Sequence, residues 1–282
     1  MYYLLITVSV VMFGIQFLFS QRYQRESGNG MVATVMLTFL SSVTGVICLG
    51  IINGFSLALT WFTFLMAAVT SLNSFLFTVC SLKSLEKINL SLYSLFSMLG
   101  GMMLPFAAGL LFYNESMTLG KAICVLLVIV ALALTVEKGN KRGGAIYYCG
   151  IFVLNGMSGV ISKIYESAPY EKVSAAGYSM WSALISVAVS GIWLLLIWRK
   201  LKRPSGKAIV FAVGSGTLSR IANYLLLLSL AVLPATVQYP FITGGVMIVS
   251  TVIAVITGQK PSKKEIASVA LSFVGILALV FL

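Results

Sequence analysis

Arg220 is the residue of this sequence that is best suited, by type and position, to bind a ligand. It lies near the middle of an apolar run from Ile209 to Leu233, which is long enough to span a lipid bilayer. A charged side chain at the bilayer midplane costs roughly 2.5–3.5 kcal/mol on insertion scales, and such residues usually face a cavity or a partner. Because a guanidinium fork holds carboxylates well, Arg220 predicts a site for an anionic or carboxylate-bearing molecule. The alternatives are that its side chain snorkels, or that it pairs with helix-end carbonyls or a glutamate.

Polar side chains within the other apolar runs are further candidates for the same site, because positions that face lipid should be apolar. Asn223 and Tyr224 share a helical face with Arg220. The same criterion selects polar and aromatic side chains in the other apolar runs. The predicted substrate-binding residues are Arg220, Asn223, Tyr224, Asn73, Gln16, Asn155, Ser158, Tyr178, Trp181, Tyr93, Gln238 and Tyr239.

Several of these assignments leave an alternative open. Asn73 equally fits an interhelical hydrogen bond. Tyr178 and Trp181, one turn apart near a helix start, equally fit an aromatic belt at the membrane interface. The glycine pairs Gly100-Gly101 and Gly244-Gly245 indicate close helix packing, with gate flexing as the alternative.

The composition argues against an enzyme. The sequence has no His and no Asp, and only seven Glu. It therefore lacks most of the side chains that bind metal ions or perform acid–base catalysis. We expect no catalytic residues, no metal site and no cofactor. The net charge of +12 falls in short loops between apolar runs, so nucleic acid is not an expected partner.

The same composition predicts an all-α, polytopic membrane protein with ten transmembrane helices. Apolar residues make up 59% of the chain and the mean hydropathy is +1.02, more apolar surface than a soluble domain can bury. The ten apolar runs cover residues 2–20, 31–52, 57–80, 90–112, 121–136, 144–163, 174–198, 208–230, 235–257 and 266–282.

Basic residues predict the orientation of these helices. Of the 19 Lys and Arg residues, 15 lie in the loops after odd-numbered runs and three in the remaining loops. Cytoplasmic loops carry the excess of basic residues. The count therefore predicts a multi-pass protein of the cytoplasmic membrane, with the odd-numbered loops inside and both termini outside.

The two halves of the chain resemble each other, and residues 1–140 and 141–282 are predicted to be repeats of five helices each. Five is an odd number, so the second repeat must insert upside down, as in transporters that bind substrate between inverted repeats. Arg220 then corresponds to Thr70, so only one half carries the charge. The matched segments are Gly14–Gln21 with Gly156–Lys163, Asn73 with Asn223, and Asn114–Thr118 with Gly258–Ser262.

This pattern resembles the drug/metabolite transporter superfamily, specifically its EamA-type members. The most specific segment is Asn114-Glu115-Ser116-Met117-Thr118, which is similar to the family's Gly-Glu-x-x-Thr turn. Glu115 is expected to cap a helix start, where a carboxylate suits the positive end of the helix dipole. The resemblance implies two inverted five-helix repeats and transport by alternating access. It also implies that both termini lie inside, opposite to the charge count.

These observations lead to one expected function and two alternatives. The first is a secondary transporter for a small polar or anionic metabolite, bound at the midplane between the repeats. The second is an exporter of amphipathic or cationic compounds, or a transporter of a lipid-linked cargo. The third is a non-transporting membrane scaffold, which predicts no cavity. The expected partners are a small-molecule substrate and the lipid bilayer, and the expected state is a monomer or homodimer.

Overall fold

The computed structural model describes residues 2–28, 30–87, 90–134, 145–197, 204–258 and 262–282. Within these ranges each of the ten predicted apolar runs forms a helix over most of its length and no strand is present, which confirms the all-α class. The predicted repeat boundary at residues 140/141 lies outside the described residues. The helices are α1 (Tyr2–Ser27), α2 (Met31–Ile52), α3 (Trp61–Lys87), α4 (Leu90–Phe112), α5 (Leu119–Leu134), α6 (Ala145–Ser167), α7 (Ala175–Leu196), α8 (Gly206–Leu230), α9 (Ala235–Ile256) and α10 (Lys263–Phe281).

Eight of the described helices are long and apolar enough to cross a membrane. The protein is therefore a multi-pass membrane protein. The two others are α5, which has only 16 residues, and α6. α6 contains polar residues such as Asn155 and, four residues before its end, Lys163.

Helix α3 begins four residues later than the apolar run predicts. The chain turns sharply after α2, where Gly54 and Phe55 have φ values of 60° and 50°. Thr60 then accepts a hydrogen bond from the Thr63 amide at 3.2 Å, which caps the first turn of α3. Hydropathy alone does not detect this turn, because residues 57–59 are apolar enough to belong to a helix.

Helices from different parts of the sequence form the main packing pairs. α1 packs against α8 and α9, and α6 packs against α3 and α4. α2 packs against α7, and α5 packs against α10. The core is therefore built largely between the first and second halves of the chain.

The loops that follow the even-numbered helices lie together at one end of the bundle, called here the even-loop end. The Ser174 hydroxyl donates to the Asn53 side-chain oxygen at 2.8 Å, which joins the α6–α7 and α2–α3 loops. Glu115 accepts a hydrogen bond from the Ala235 amide at 2.9 Å, which joins the α4–α5 and α8–α9 loops.

Glycines allow α4 and α6 to approach closely. A Cβ built on Gly100 would lie 2.1 Å from the carbonyl oxygen of Phe152, and one built on Gly156 would lie 2.4 Å from the carbonyl oxygen of Gly100. The obstacle in each case is helix backbone, which cannot turn aside as a flexible side chain does. Small residues at such contacts are typical of membrane helix bundles, and the predicted packing role of the Gly100-Gly101 pair is confirmed at Gly100.

We expect Gly100→Ala to separate α4 from α6 and to destabilise the fold. The added methyl group overpacks the contact, which costs about 1–3 kcal/mol. Thermal unfolding of the protein in detergent measures this as a lower Tm. Gly206→Ala is the matched control, because nothing lies within 4 Å of a Cβ built there. Equal melting temperatures for the two variants would contradict the close contact.

Candidate binding cavity

A cavity of about 550 Å³ lies between the two halves of the chain. This volume is typical of sites that bind small molecules. All helices except α5 and α10 contribute to its wall. The lining residues are Phe13, Phe17, Ser41, Leu49, Thr70, Ser74, Phe77, Met98, Gly101, Asn155, Ser158, Gly159, Ser162, Tyr178, Ser179, Ser182, Ser219, Arg220, Asn223, Leu226, Leu227, Leu230, Gln238, Tyr239, Ile242, Thr243 and Val246.

Arg220 lines this cavity from the middle of α8 and is partly buried. Its stem lies against α2, where a Cβ on Gly45 would approach the Arg220 Cγ atom to 2.8 Å. Its Nη2 atom donates to the Ser42 hydroxyl at 2.8 Å. Among the described residues no carboxylate pairs with Arg220. The guanidinium is thus held in place by a glycine and a hydroxyl, and its charge is not compensated by any described side chain.

Seven of the twelve predicted site residues line the cavity, and five do not. Asn223, Asn155, Ser158, Tyr178, Gln238 and Tyr239 line it together with Arg220. The residues outside its lining are Asn73, Gln16, Trp181, Tyr93 and Tyr224.

Two of the residues outside the lining tie helices together next to the cavity. The Asn73 side-chain amide donates to the Leu154 carbonyl at 2.9 Å and to the Ser158 hydroxyl at 3.0 Å. The Gln16 amide donates to the Ser215 hydroxyl at 3.2 Å. These bonds join α3 to α6 and α1 to α8. For Asn73 this matches the alternative assignment, an interhelical hydrogen bond.

The aromatic residues divide between the cavity wall and the helix ends. Tyr178 faces the cavity, its hydroxyl pairs with Thr70 at 2.5 Å, and its ring stacks on Tyr165 at 3.9 Å between centroids. Trp181 instead donates from its indole nitrogen to the carbonyl of Ala58 in the α2–α3 loop. The Tyr93 hydroxyl donates to Ser81 at 2.9 Å and so joins α4 to α3. Tyr224 is partly buried on α8 and makes no hydrogen bond to a described residue.

Sequence reasoning missed the apolar residues of the wall. Phe13 and Phe17 of α1, Phe77 of α3 and Met98 of α4 all line the cavity. Apolar side chains are also the default at lipid-facing positions, so type alone cannot separate the two environments. The only available signal is spacing: Phe13 and Phe17 are four residues apart and share a helical face with Gly14.

The cavity has a definite depth along the bundle. At 1.5 Å per residue, Arg220 lies about 15 Å from the even-loop end of α8. Phe17, Phe77 and Met98 lie deeper, about 21–24 Å from the corresponding ends of their helices. Leu230, the last residue of α8, also lines the cavity. The cavity therefore extends from the even-loop end, past Arg220, to an apolar floor formed by Phe17, Phe77 and Met98.

A buried ion pair lies at the even-loop end. Lys163 Nζ is 2.8 Å from Glu115 Oε1, and the two side chains are 11% and 8% exposed. Glu115 also accepts hydrogen bonds from the Ala235 and Thr236 amides, at the N-terminus of α9. The capping role expected of Glu115 thus falls on α9, across the bundle. One carboxylate joins the α4–α5 connection, the end of α6 and the start of α9.

The surroundings of Glu115 set its pKa. Burial by itself raises the pKa, but the Lys163 ammonium and the Thr236 and Ala235 amides together hold it below the ordinary value of 4.5. The carboxylate is therefore ionised at neutral pH and serves as a structural tie. Among the described residues no group of three or more His, Cys, Asp or Glu could hold a metal ion.

Comparison with known proteins adds information on the fold. A solved crystal structure, described only as "Crystal structure of protein", superposes with a TM-score of 0.76 over 98% of this chain and 95% of its own. The two sequences are 16% identical, so the similarity shows a shared fold alone. No family model and no curated protein matches the sequence.

We expect Glu115→Gln to destabilise the protein by about 3 kcal/mol, because it leaves the Lys163 charge buried without a partner. Adding Lys163→Met should restore part of this loss, since the unpaired charge is then removed. Thermal unfolding of both variants and of the wild type measures the effect. Glu171→Gln, at an exposed glutamate, is the control and should be neutral.

Acidification supplies a second measurement on the same pair. Since the folded-state pKa of Glu115 is lowered, its stabilisation is present above pH 4.5 and is lost as the pH falls through the lower folded value. Wild-type stability should decline in that range more steeply than the stability of Glu115→Gln. Parallel declines, or a Glu115→Gln variant as stable as Glu171→Gln, would show that the ion pair does not stabilise the fold.

Proposed function

We propose that this protein is a secondary transporter of the drug/metabolite transporter type. It moves a small polar or anionic metabolite across a membrane by alternating access. The observation that carries the proposal is the Arg220 guanidinium, which faces a cavity of about 550 Å³ with one hydroxyl partner. A charge left uncompensated at this depth is costly, and an anionic substrate would supply the missing counter-charge.

Glycine contacts support an inverted repeat. A Cβ on Gly156 would approach Leu104 of α4 to 2.5 Å, and one on Gly14 would approach Val249 of α9 to 2.4 Å. Gly14 and Gly156 are repeat mates in the sequence alignment. Leu104 and Val249 are also mates when Gly100 is aligned with Gly245. To within one residue of the register that pairs Glu115 with Gln259, both contacts are those that a two-fold relation between the halves predicts.

A second pair of contacts follows the same relation. Gly100 approaches the backbone of Phe152, and Gly245 approaches the side chain of Val10 at 2.9 Å. Val10 and Phe152 are separated by 142 residues, as are Gly14 and Gly156. Val10 and Phe152 are therefore repeat mates in the alignment that pairs Gly14 with Gly156, and this second pair of contacts also supports the repeat.

Two buried tyrosines at matched positions extend the relation to the helix ends. The Tyr23 hydroxyl donates to the Ala33 carbonyl at 2.8 Å, which ties the end of α1 to α2. The Tyr165 hydroxyl donates to the Val173 carbonyl at 2.9 Å, which ties the end of α6 to the approach to α7. In an inverted repeat the two ties lie at opposite ends of the bundle. This arrangement requires all ten helices, α5 and α6 included, to cross the membrane.

The cavity favours transport over a purely structural role. A scaffold has no need of a wide space at the centre of its bundle, and it could pack Arg220 against protein on all sides. The wall of this cavity comes from helices of both halves. A relative movement of the halves would therefore change which end of the cavity is open, and this is the requirement for alternating access.

We expect Arg220→Gln to abolish transport of the anionic substrate, because Gln keeps polarity and approximate length but removes the charge. Arg220→Lys should retain weakened transport, since an ammonium is a point charge without the planar fork. Uptake into proteoliposomes measures both variants. Lys207→Gln, at an exposed position on the same helix, is the control. Normal uptake by Arg220→Gln would remove the proposed role.

The excess of basic residues after odd-numbered helices predicts that the even-loop end faces the outside. In a cysteine-free background, Glu171→Cys lies at the even-loop end and Lys207→Cys at the opposite end, and both positions are exposed. A membrane-impermeant maleimide added to intact cells should label the first and not the second. The reverse pattern would support both termini inside.

A further inference from the structure

We infer that the substrate is an organic monocarboxylate with an apolar body and no ammonium group. This inference rests on the proposed transport function and names the substrate class of the same cavity. It follows from two features: the balance of charge around Arg220 and the apolar floor below it.

The charge balance around Arg220 excludes dianions and amino acids as substrates, as well as cations. Arg220 is the only charged residue among the described lining residues, so the cavity offers one positive charge and no negative one. A monocarboxylate neutralises it. A dianion would leave a negative charge unpaired, and an α-amino acid would bring an ammonium group close to the guanidinium with no carboxylate to receive it. Transferring an unpaired charge out of water is unfavourable in both cases.

The glutamates elsewhere in the described structure do not change this balance. Glu166, which is partly buried at the even-loop end, lies near Lys172 and Lys163 and does not line the cavity. Glu115, at the same end, is engaged by Lys163 and by two amides of α9. Its charge is already compensated, and it does not line the cavity. An incoming ammonium group would have to break this tie to gain a partner.

Neutral polar groups of the wall can form hydrogen bonds with other polar groups of a carboxylate substrate. They cannot neutralise the charge of an ammonium group. Asn223 donates its amide to the Ser219 carbonyl of its own helix, and Asn155 donates its amide to the Ser97 carbonyl. Each leaves a side-chain oxygen as an acceptor. These oxygens can accept a hydrogen bond from a hydroxyl group on the substrate. Their partial negative charge is too small to offset the repulsion between an ammonium group and the full positive charge of Arg220.

The apolar floor defines the other end of the substrate. Phe17, Phe77 and Met98 lie about 6–9 Å deeper than Arg220, as judged from the helical rise. That separation fits a carboxylate at Arg220 with a phenyl-sized body pointing toward the floor. Two aromatic rings and a thioether contribute area for burying such a body and adapt to its shape.

A matched set of probes tests both features on the purified protein. 3-Phenylpropionate, phenylalanine and phenethylamine share a phenylethyl unit, and they carry respectively a carboxylate, both a carboxylate and an ammonium, and an ammonium. Propionate keeps the carboxylate and lacks the ring. We expect 3-phenylpropionate to bind at least tenfold more tightly than phenylalanine and propionate, and phenethylamine not to bind, by titration calorimetry. Competition for uptake into proteoliposomes should follow the same order.

Two variants test the charge balance around Arg220 and the apolar floor separately. Phe77→Ala should reduce the affinity for 3-phenylpropionate at least fivefold and leave the affinity for propionate unchanged. Arg220→Gln should abolish binding of both acids. Phe64→Ala is the control for Phe77→Ala, because Phe64 is an exposed ring on the same helix.

Each outcome bears on a separate statement. Phenylalanine binding as tightly as 3-phenylpropionate would overturn the exclusion of ammonium groups, and propionate binding as tightly would overturn the apolar body. Uptake of another class of solute that depends on Arg220, with no binding of these acids, would overturn this inference and leave the proposed transport function in place. Uptake unaffected by Arg220→Gln would overturn the proposed function itself.

Discussion

The cost of an unpaired polar group in a water-poor interior is the constraint on which this bundle depends. Each polar side chain between the helices must find a partner inside the protein. Asn73 satisfies this by joining α3 to α6, Gln16 by joining α1 to α8, and Glu115 by joining three elements at the even-loop end. Arg220 satisfies it only in part, with one bond to Ser42. The same rule that positions the helices therefore also singles out Arg220 as the residue that the proposed substrate would bind.

Close glycine contacts explain how the bundle can be tightly packed and still enclose a cavity. Gly100 and Gly156 bring α4 and α6 together, and Gly14 and Gly245 bring α1 and α9 together. Contacts with so little space fix the distance between neighbouring helices. Larger side chains such as Phe17 and Phe77 then define the floor of the cavity between them.

The sequence predicts the helices and the charged residue of the site better than it predicts the rest of the wall. Ten apolar runs become ten helices in the described residues, because hydropathy reports the environment of a whole helix. Arg220 is identified from the sequence because a charge in an apolar run has a large cost. Asn73 and Phe77 show where sequence reasoning leaves the role of a residue open. An amide in a membrane helix serves equally well as a structural tie or as a binding group, and a phenylalanine serves equally well against lipid or substrate. Only the neighbours across the bundle decide, and a single sequence does not contain them.

Charges break the relation between the two halves in a directional way. Arg220 aligns with Thr70, and the Glu115–Lys163 pair aligns with Gln259 and Gln21. At the even-loop end, a buried ion pair and a helix cap join α6 and α9 to the α4–α5 loop. The residues aligned with the ion pair in the proposed repeat, Gln259 and Gln21, are neutral amides. Opening the even-loop end beside α4, α6 and α9 would expose or separate two full charges, and no buried ion pair joins the described residues of the opposite end. In the proposed transporter this pair therefore contributes a free-energy difference between the two access states, which the proposed inverted repeat by itself would not produce.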